Sequence, residues 1–169
     1  TGGPKEEGYW TASGYPVKEE DEEEFEQSCL QTLEEMIRTN RNHPSIIVWS
    51  MCNEPFFSDI EVMEKAKALV VRLAEFSHRL DPTRPAAVGG AQRGGFDSLG
   101  DIAGYNGDGA SIFINPGFPN FVSEYGSTVS DRPGEFMHRY QVGVEKYYPW
   151  RSGKSLWCGF HHGSILFDM

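Results

Sequence analysis

One pattern sets the limits on this fold. Short apolar runs alternate with longer segments in which apolar residues recur every three or four positions. Residues 46–52, IIVWSMC, carry only Ser50 as a polar member, and they lie between RNHPS and the break Asn53-Glu54-Pro55. A run this short and this uniformly apolar reads as a strand covered on both faces, as in parallel sheets. Before it, residues 20–39 place Phe25, Cys29, Leu30, Leu33, Met36 and Ile37 on one stripe of a helix. After it, a second helix is predicted at about 59–80, with Ile60, Met63, Ala66, Val70, Leu73 and Leu80 inward, ended by DPTRP. AAVGG (86–90), DIAGYN (101–106), NFVSEYG (120–126) and KSLWCGFHH (154–162) read as further strands, and GEFMHRYQVGVEKYY (134–148) as a helix. Residues 1–18, rich in glycine and proline, read as loop. Strands alternating with helices imply an α/β fold on a parallel sheet, in one domain spanning 1–169.

Charge and composition exclude several function classes. The formal charge of −10 argues against a nucleic-acid partner, because phosphate binding needs clustered Lys and Arg. Much of that charge is EEDEEE at 19–24, which suits the start of a helix and reads as a solvated face. No apolar stretch approaches the roughly 18 residues of a membrane span, so no membrane partner is expected. Cys29, Cys52 and Cys158 are scattered and odd in number, and read as small apolar residues rather than disulfides or a metal site. His161 and His162 are adjacent, so on a strand they face opposite ways and make a poor metal pair; His161 is the better placed for a polar contact in a pocket. His43 precedes its strand and reads as structural.

Two carboxylates remain. In a parallel α/β protein the strand C-termini share one face, where active sites gather. Glu54 follows one strand end and Glu124 another, with two predicted strands between them. In a closed barrel that spacing sets the two acids across the mouth from each other. Paired carboxyls are what glycosidic cleavage requires: one protonates the leaving oxygen while the other attacks or stabilises the sugar cation. Each alone could be a solvated strand-end glutamate. Asn53, beside Glu54, offers an amide for a sugar hydroxyl.

The strings RNHPSIIVWSMCNEP and FVSEYGS resemble the signatures of glycoside hydrolase family 2, the family of β-galactosidases, β-glucuronidases and β-mannosidases. GYN at 104–106 and WCGFHHGS at 157–164 are similar to its sixth and eighth barrel strands. The resemblance implies a partial (β/α)8 TIM barrel, roughly strands four to eight. It makes Glu54 the general acid/base and Glu124 the nucleophile of a retaining exo-β-glycosidase. It assigns sugar contacts to Asn53 and Trp157; Tyr105 and His161 are further candidates for the pocket, although many members carry an aspartate where His161 stands. Gly107 stands where the family commonly has a tyrosine beside the nucleophile, with Tyr105 or Tyr125 to take its part. Neither a cofactor nor a metal is implied. The expected substrate is a terminal β-galactoside, with a β-glucuronide or β-mannoside as alternatives. A carbohydrate-binding module without catalysis, or an inert fragment, is the rival from another class. A whole barrel typically needs about 250 residues, so the chain reads as part of a larger enzyme, with little activity expected in isolation and self-association possible through half-barrel edges.

Overall fold

A computed structural model describes residues 13–106, 116–125 and 151–156. Its strands are β1 (Trp49–Asn53), β2 (Ala86–Gly89), β3 (Ile102–Asn106), β4 (Asn120–Tyr125) and β5 (Arg151–Leu156), and its helices are α1 (Glu22–Asn40) and α2 (Met63–Leu80). Each strand pairs in parallel with the next in sequence, so the sheet order is β1-β2-β3-β4-β5. A doubly wound sheet reverses its order at a switch point; an order that only advances belongs to a barrel. The fold is a parallel α/β sheet with the topology of a partial barrel.

The strand boundaries differ from the sequence reading in instructive ways. β1 begins at Trp49 rather than residue 46, because Arg84 occupies the backbone just before it. The guanidinium donates to the carbonyls of Ile46 (2.7 Å) and His43 (3.2 Å) and to the Asp81 carboxylate (2.6 Å). Asp81 also accepts from Trp49 Nε1 at 2.9 Å and from the Thr83 backbone and hydroxyl. The two breaks RNHPS and DPTRP are therefore tied into one construction through Arg84 and the buried Asp81. The Thr83 and Trp49 bonds, with Arg84, hold the Asp81 carboxyl well below the usual carboxylate range. β5 starts at Arg151, three residues before the predicted strand, while residues 157–162 of that prediction lie outside the described residues, as does the predicted helix at 134–148.

α1 is preceded by a 3₁₀ turn, Glu19–Asp21, and α2 by another, Ile60–Val62. The second turn corrects the expected inward stripe. Ile60 stands outside the helical period and is 84% exposed, whereas Ala66, Val70 and Leu73 are buried as predicted, joined by Leu69 and Ala74. α2 packs against β1, β2 and α1, and its buried face shares one core with Leu33, Ile37, Trp49 and Val88. Each fully buried Leu or Val there contributes about 1.5–3 kcal/mol. Cys29 and Cys52 are free thiols packed against that core, and burial pushes Cys52 up to about 12.

Residues 90–101, between β2 and β3, carry no helix. Phe96 from this loop is completely buried in the same core, so one aromatic ring covers ground that a barrel helix would otherwise cover. Asp101 anchors the returning chain. It accepts from the Ala86 backbone at 2.7 Å and meets His78 of α2 at 2.7 Å. Among the described residues no helix is long and apolar enough to cross a membrane.

Candidate active site

The C-terminal ends of β1, β3 and β4 converge on one amide. Asn106, the last residue of β3, is 3% exposed. Its Nδ2 donates toward Asn53 Oδ1 (3.0 Å), Glu54 Oε1 (3.1 Å) and Glu124 Oε2 (2.9 Å). Because both glutamate oxygens contact the same nitrogen, they lie within about 6 Å of each other. Glu54 and Glu124, three strands apart in the sheet, therefore share one site with Asn53.

Two departures from regular strand geometry make this convergence possible. Consecutive strand residues face opposite ways, so Asn53 and Glu54 should not both point into the site. Glu54 has φ of +51°, the left-handed conformation, which turns its side chain back beside that of Asn53. A non-glycine residue pays roughly 1–2 kcal/mol for this. Its neighbours hold it there. The Glu54 N–H donates to Gly89 O at 3.0 Å, and its carbonyl accepts from Phe57 N–H at 3.1 Å. On the other side, Tyr105 is in register with Val122 but Asn106 with Glu124, so Ser123 is the extra residue of a bulge. That bulge brings both Ser123 and Glu124 to Asn106.

Ser123 fixes which way the amide faces. Its hydroxyl donates to Asn106 Oδ1 at 2.6 Å and accepts from the Gly90 N–H at 3.2 Å. With Oδ1 so engaged, Nδ2 must aim at the carboxylates. The Asn106 backbone N–H is taken by Gln92 Oε1 at 3.0 Å. Between β1 and β3, β2 ends at Gly89 and is followed by Gly90. A Cβ at Gly90 would lie 2.5 Å from Glu54 Cγ and 2.9 Å from Asn106 Nδ2, so the site occupies the room that a side chain would take. Burial first, and the Glu54 charge second, push the Glu124 carboxyl up to about 6. Two interacting carboxyls release their protons in steps that belong to the pair.

Of the predicted site residues, Asn53, Glu54 and Glu124 come together. Tyr105 is completely buried, at the strand position that alternates with Asn106. Trp157 and His161 lie outside the described residues, as does the side chain of Tyr125. Asn106, Ser123 and Gln92 were not singled out by sequence. Asn106 had a usable signal, a polar residue closing the GYN strand. Ser123 had none, since regular alternation would turn it away from Glu124. Among the described residues no group of three or more His, Cys, Asp or Glu is arranged to hold a metal ion.

Paired carboxyls at the C-terminal end of a parallel sheet with partial-barrel topology are the arrangement found in barrel enzymes that cleave glycosidic bonds. Comparison with known proteins narrows the class to a family. The sequence model described as glycosyl hydrolases family 2, TIM barrel domain, matches residues 7–104. This chain belongs to glycosyl hydrolase family 2. It is 37% identical over 59 residues to a β-glucuronidase of Sus scrofa, an alignment covering 35% of this chain and 8% of that protein. With the β-glucuronidase of Homo sapiens it shares 34% over 56 residues, covering 33% and 8%. The crystal structure of a Bacteroides uniformis β-glucuronidase superposes with a TM-score of 0.64 at 24% identity, covering 84% of this chain and 22% of that one, and supports the barrel fold. The chain thus spans a small part of the length of these relatives.

Proposed function

We propose that the protein containing this chain is a retaining exo-β-glycosidase in which Glu54 is the general acid/base and Glu124 the nucleophile. The observation that carries this reading is the approach of both carboxylates to the one Asn106 nitrogen. An oxygen–oxygen separation of at most about 6 Å fits the roughly 5–5.5 Å of a retaining pair better than the roughly 6.5–9.5 Å of an inverting one.

In the first step the Glu124 carboxylate attacks the anomeric carbon while Glu54 gives its proton to the departing oxygen. The glycosidic bond breaks and a glycosyl ester forms on Glu124. In the second step Glu54, now ionised, takes a proton from water as that water attacks the same carbon. The ester opens and both glutamates return to their starting states. Asn53, beside the acid, is placed to bond a hydroxyl of the sugar. Trp157 and His161 remain proposed sugar contacts on the strength of sequence alone. No step draws on a cofactor.

For the sugar, the names of the relatives favour a β-glucuronide, with the β-galactoside preferred by the sequence reading as the second choice. The test is turnover of 4-nitrophenyl β-glucuronide, β-galactoside and β-mannoside by the full-length protein. Hydrolysis of one of them, abolished in Glu54→Gln and Glu124→Gln, is the expected result. Saccharide binding without hydrolysis, indifferent to Glu124→Gln, would establish a binding module instead.

A further inference from the structure

The Asn106 amide has two hydrogens on Nδ2 and three acceptors within bonding distance: Asn53 Oδ1, Glu54 Oε1 and Glu124 Oε2. The three cannot all be satisfied at once. Its carbonyl end is committed to Ser123, so the amide cannot relieve the competition by turning over. Asn106 is also buried, which makes water a poor substitute donor and makes each of these bonds electrostatically stronger than it would be in solvent.

We infer that Asn106, oriented by Ser123, is a positioning residue that transfers its hydrogen bond between the two carboxylates during turnover. The inference rests on the two-glutamate reading above and adds a part that neither glutamate supplies. Before the first step Glu124 must be ionised in order to attack, and an amide N–H favours the charged form of the carboxylate it faces. At 2.9 Å, Glu124 Oε2 has the shortest of the three bonds. Once Glu124 is esterified its charge is gone and it becomes a weaker acceptor. The same N–H is then drawn to Glu54, which has just lost its proton and must persist as a base. No atom need move far, because both oxygens already contact the one nitrogen. Burial and the Glu54 charge raise Glu124, and the Asn106 donor works against that rise.

The test uses the full-length protein and two variants, Asn106→Ala and Ser123→Ala. The first removes the donor; the second leaves the donor but frees its orientation. One readout is the acid limb of kcat/KM on the best aryl glycoside. The other, independent of activity, is the Glu124 protonation midpoint, followed by infrared difference spectra of protein labelled with 13C-carboxyl glutamate, with Glu124→Gln as the subtraction. Asn106→Ala should move both upward by about one pH unit, and Ser123→Ala should move them less in the same direction. A purely structural role would lower stability and leave the midpoint in place. Should Asn106→Ala fail to fold, the Ser123→Ala midpoint decides. Turnover by wild type with an unmoved midpoint in the folded variants overturns this inference alone. An upward midpoint in a protein that turns over none of the sugars overturns the glycosidase reading and leaves the Asn106–Glu124 coupling standing.

Discussion

Substituting Gly90 by alanine tests the site without removing any polar group from it. Gly90 has φ of +60°, and an added Cβ would sit 2.5 Å from Glu54 Cγ, 2.8 Å from Glu54 N and 2.9 Å from Asn106 Nδ2. Carbon atoms in contact prefer about 3.5–4.0 Å, so the Glu54 side chain must retreat by about 1 Å. Its backbone cannot follow freely, because the Glu54 N–H is bonded to Gly89 O at 3.0 Å. A misplacement of about 1 Å in a reacting group can cost on the order of 100-fold in rate. We therefore expect Gly90→Ala in the full-length enzyme to lower kcat/KM about 100-fold. The left-handed backbone adds a stability loss of about 1–2 kcal/mol, read from urea unfolding. Gly117→Ala is the control. Gly117 also has positive φ, +81°, but an added Cβ there meets nothing within 4 Å, and it precedes β4 at the opposite end of the strand from Glu124. It should lose comparable stability and keep its activity. If Gly90→Ala retains kcat/KM within roughly threefold of wild type, the packing of Glu54 and Asn106 over Gly90 is not what sets the active geometry.

The Glu124 carboxyl, raised to about 6, gives a pH dependence of definite sign. As nucleophile it must be ionised, so kcat/KM should fall about tenfold per unit below pH 6, and a flat profile from pH 4 to 7 would refute its role. Its folded pKa lies above the unfolded value of about 4.3, so its protonated form favours folding. Stability should decline as pH rises from about 4 through 6, by less than the full shift implies because the carboxyl is partly open to solvent, and Glu124→Gln should remove that slope in urea titrations. Asp81 has the opposite sign. Its contribution is present above the unfolded pKa of about 3.9 and is lost on acidification below that. Asp81→Ala strands the indole of Trp49 and the guanidinium of Arg84, and should cost about 3–5 kcal/mol with a flattened acid limb. A loss below about 1 kcal/mol would mean that water replaces the carboxylate.

The periodicities marked α1, α2 and the strands to within a few residues, because each element buries a face whose period the sequence carries. Where an element ended early, a side chain distant in sequence was responsible. Arg84 claims the carbonyl of Ile46, which regular strand pairing would otherwise use, and that of His43 in the break before it. Ile60 misled because apolar spacing continues through a 3₁₀ turn where the helical period no longer applies. The two glutamates were legible because each stands at or beside the C-terminal end of a predicted strand. That one amide would join them was not, because the contact depends on two local irregularities, the left-handed Glu54 and the bulge at Ser123. Strict alternation predicts neither.

The hydrogen bonds from Asn106 span from β1 to β4, past a second strand that offers only glycine at this level. In mechanical terms they form a chord across an arc. The spacing of the two acids is then a gauge of the sheet's curvature at its C-terminal end. A distortion that opens the arc, wherever in the sheet it arises, must lengthen the chord or break it. Such a distortion would register as a change in the chemistry of the pair before it registered as a loss of fold.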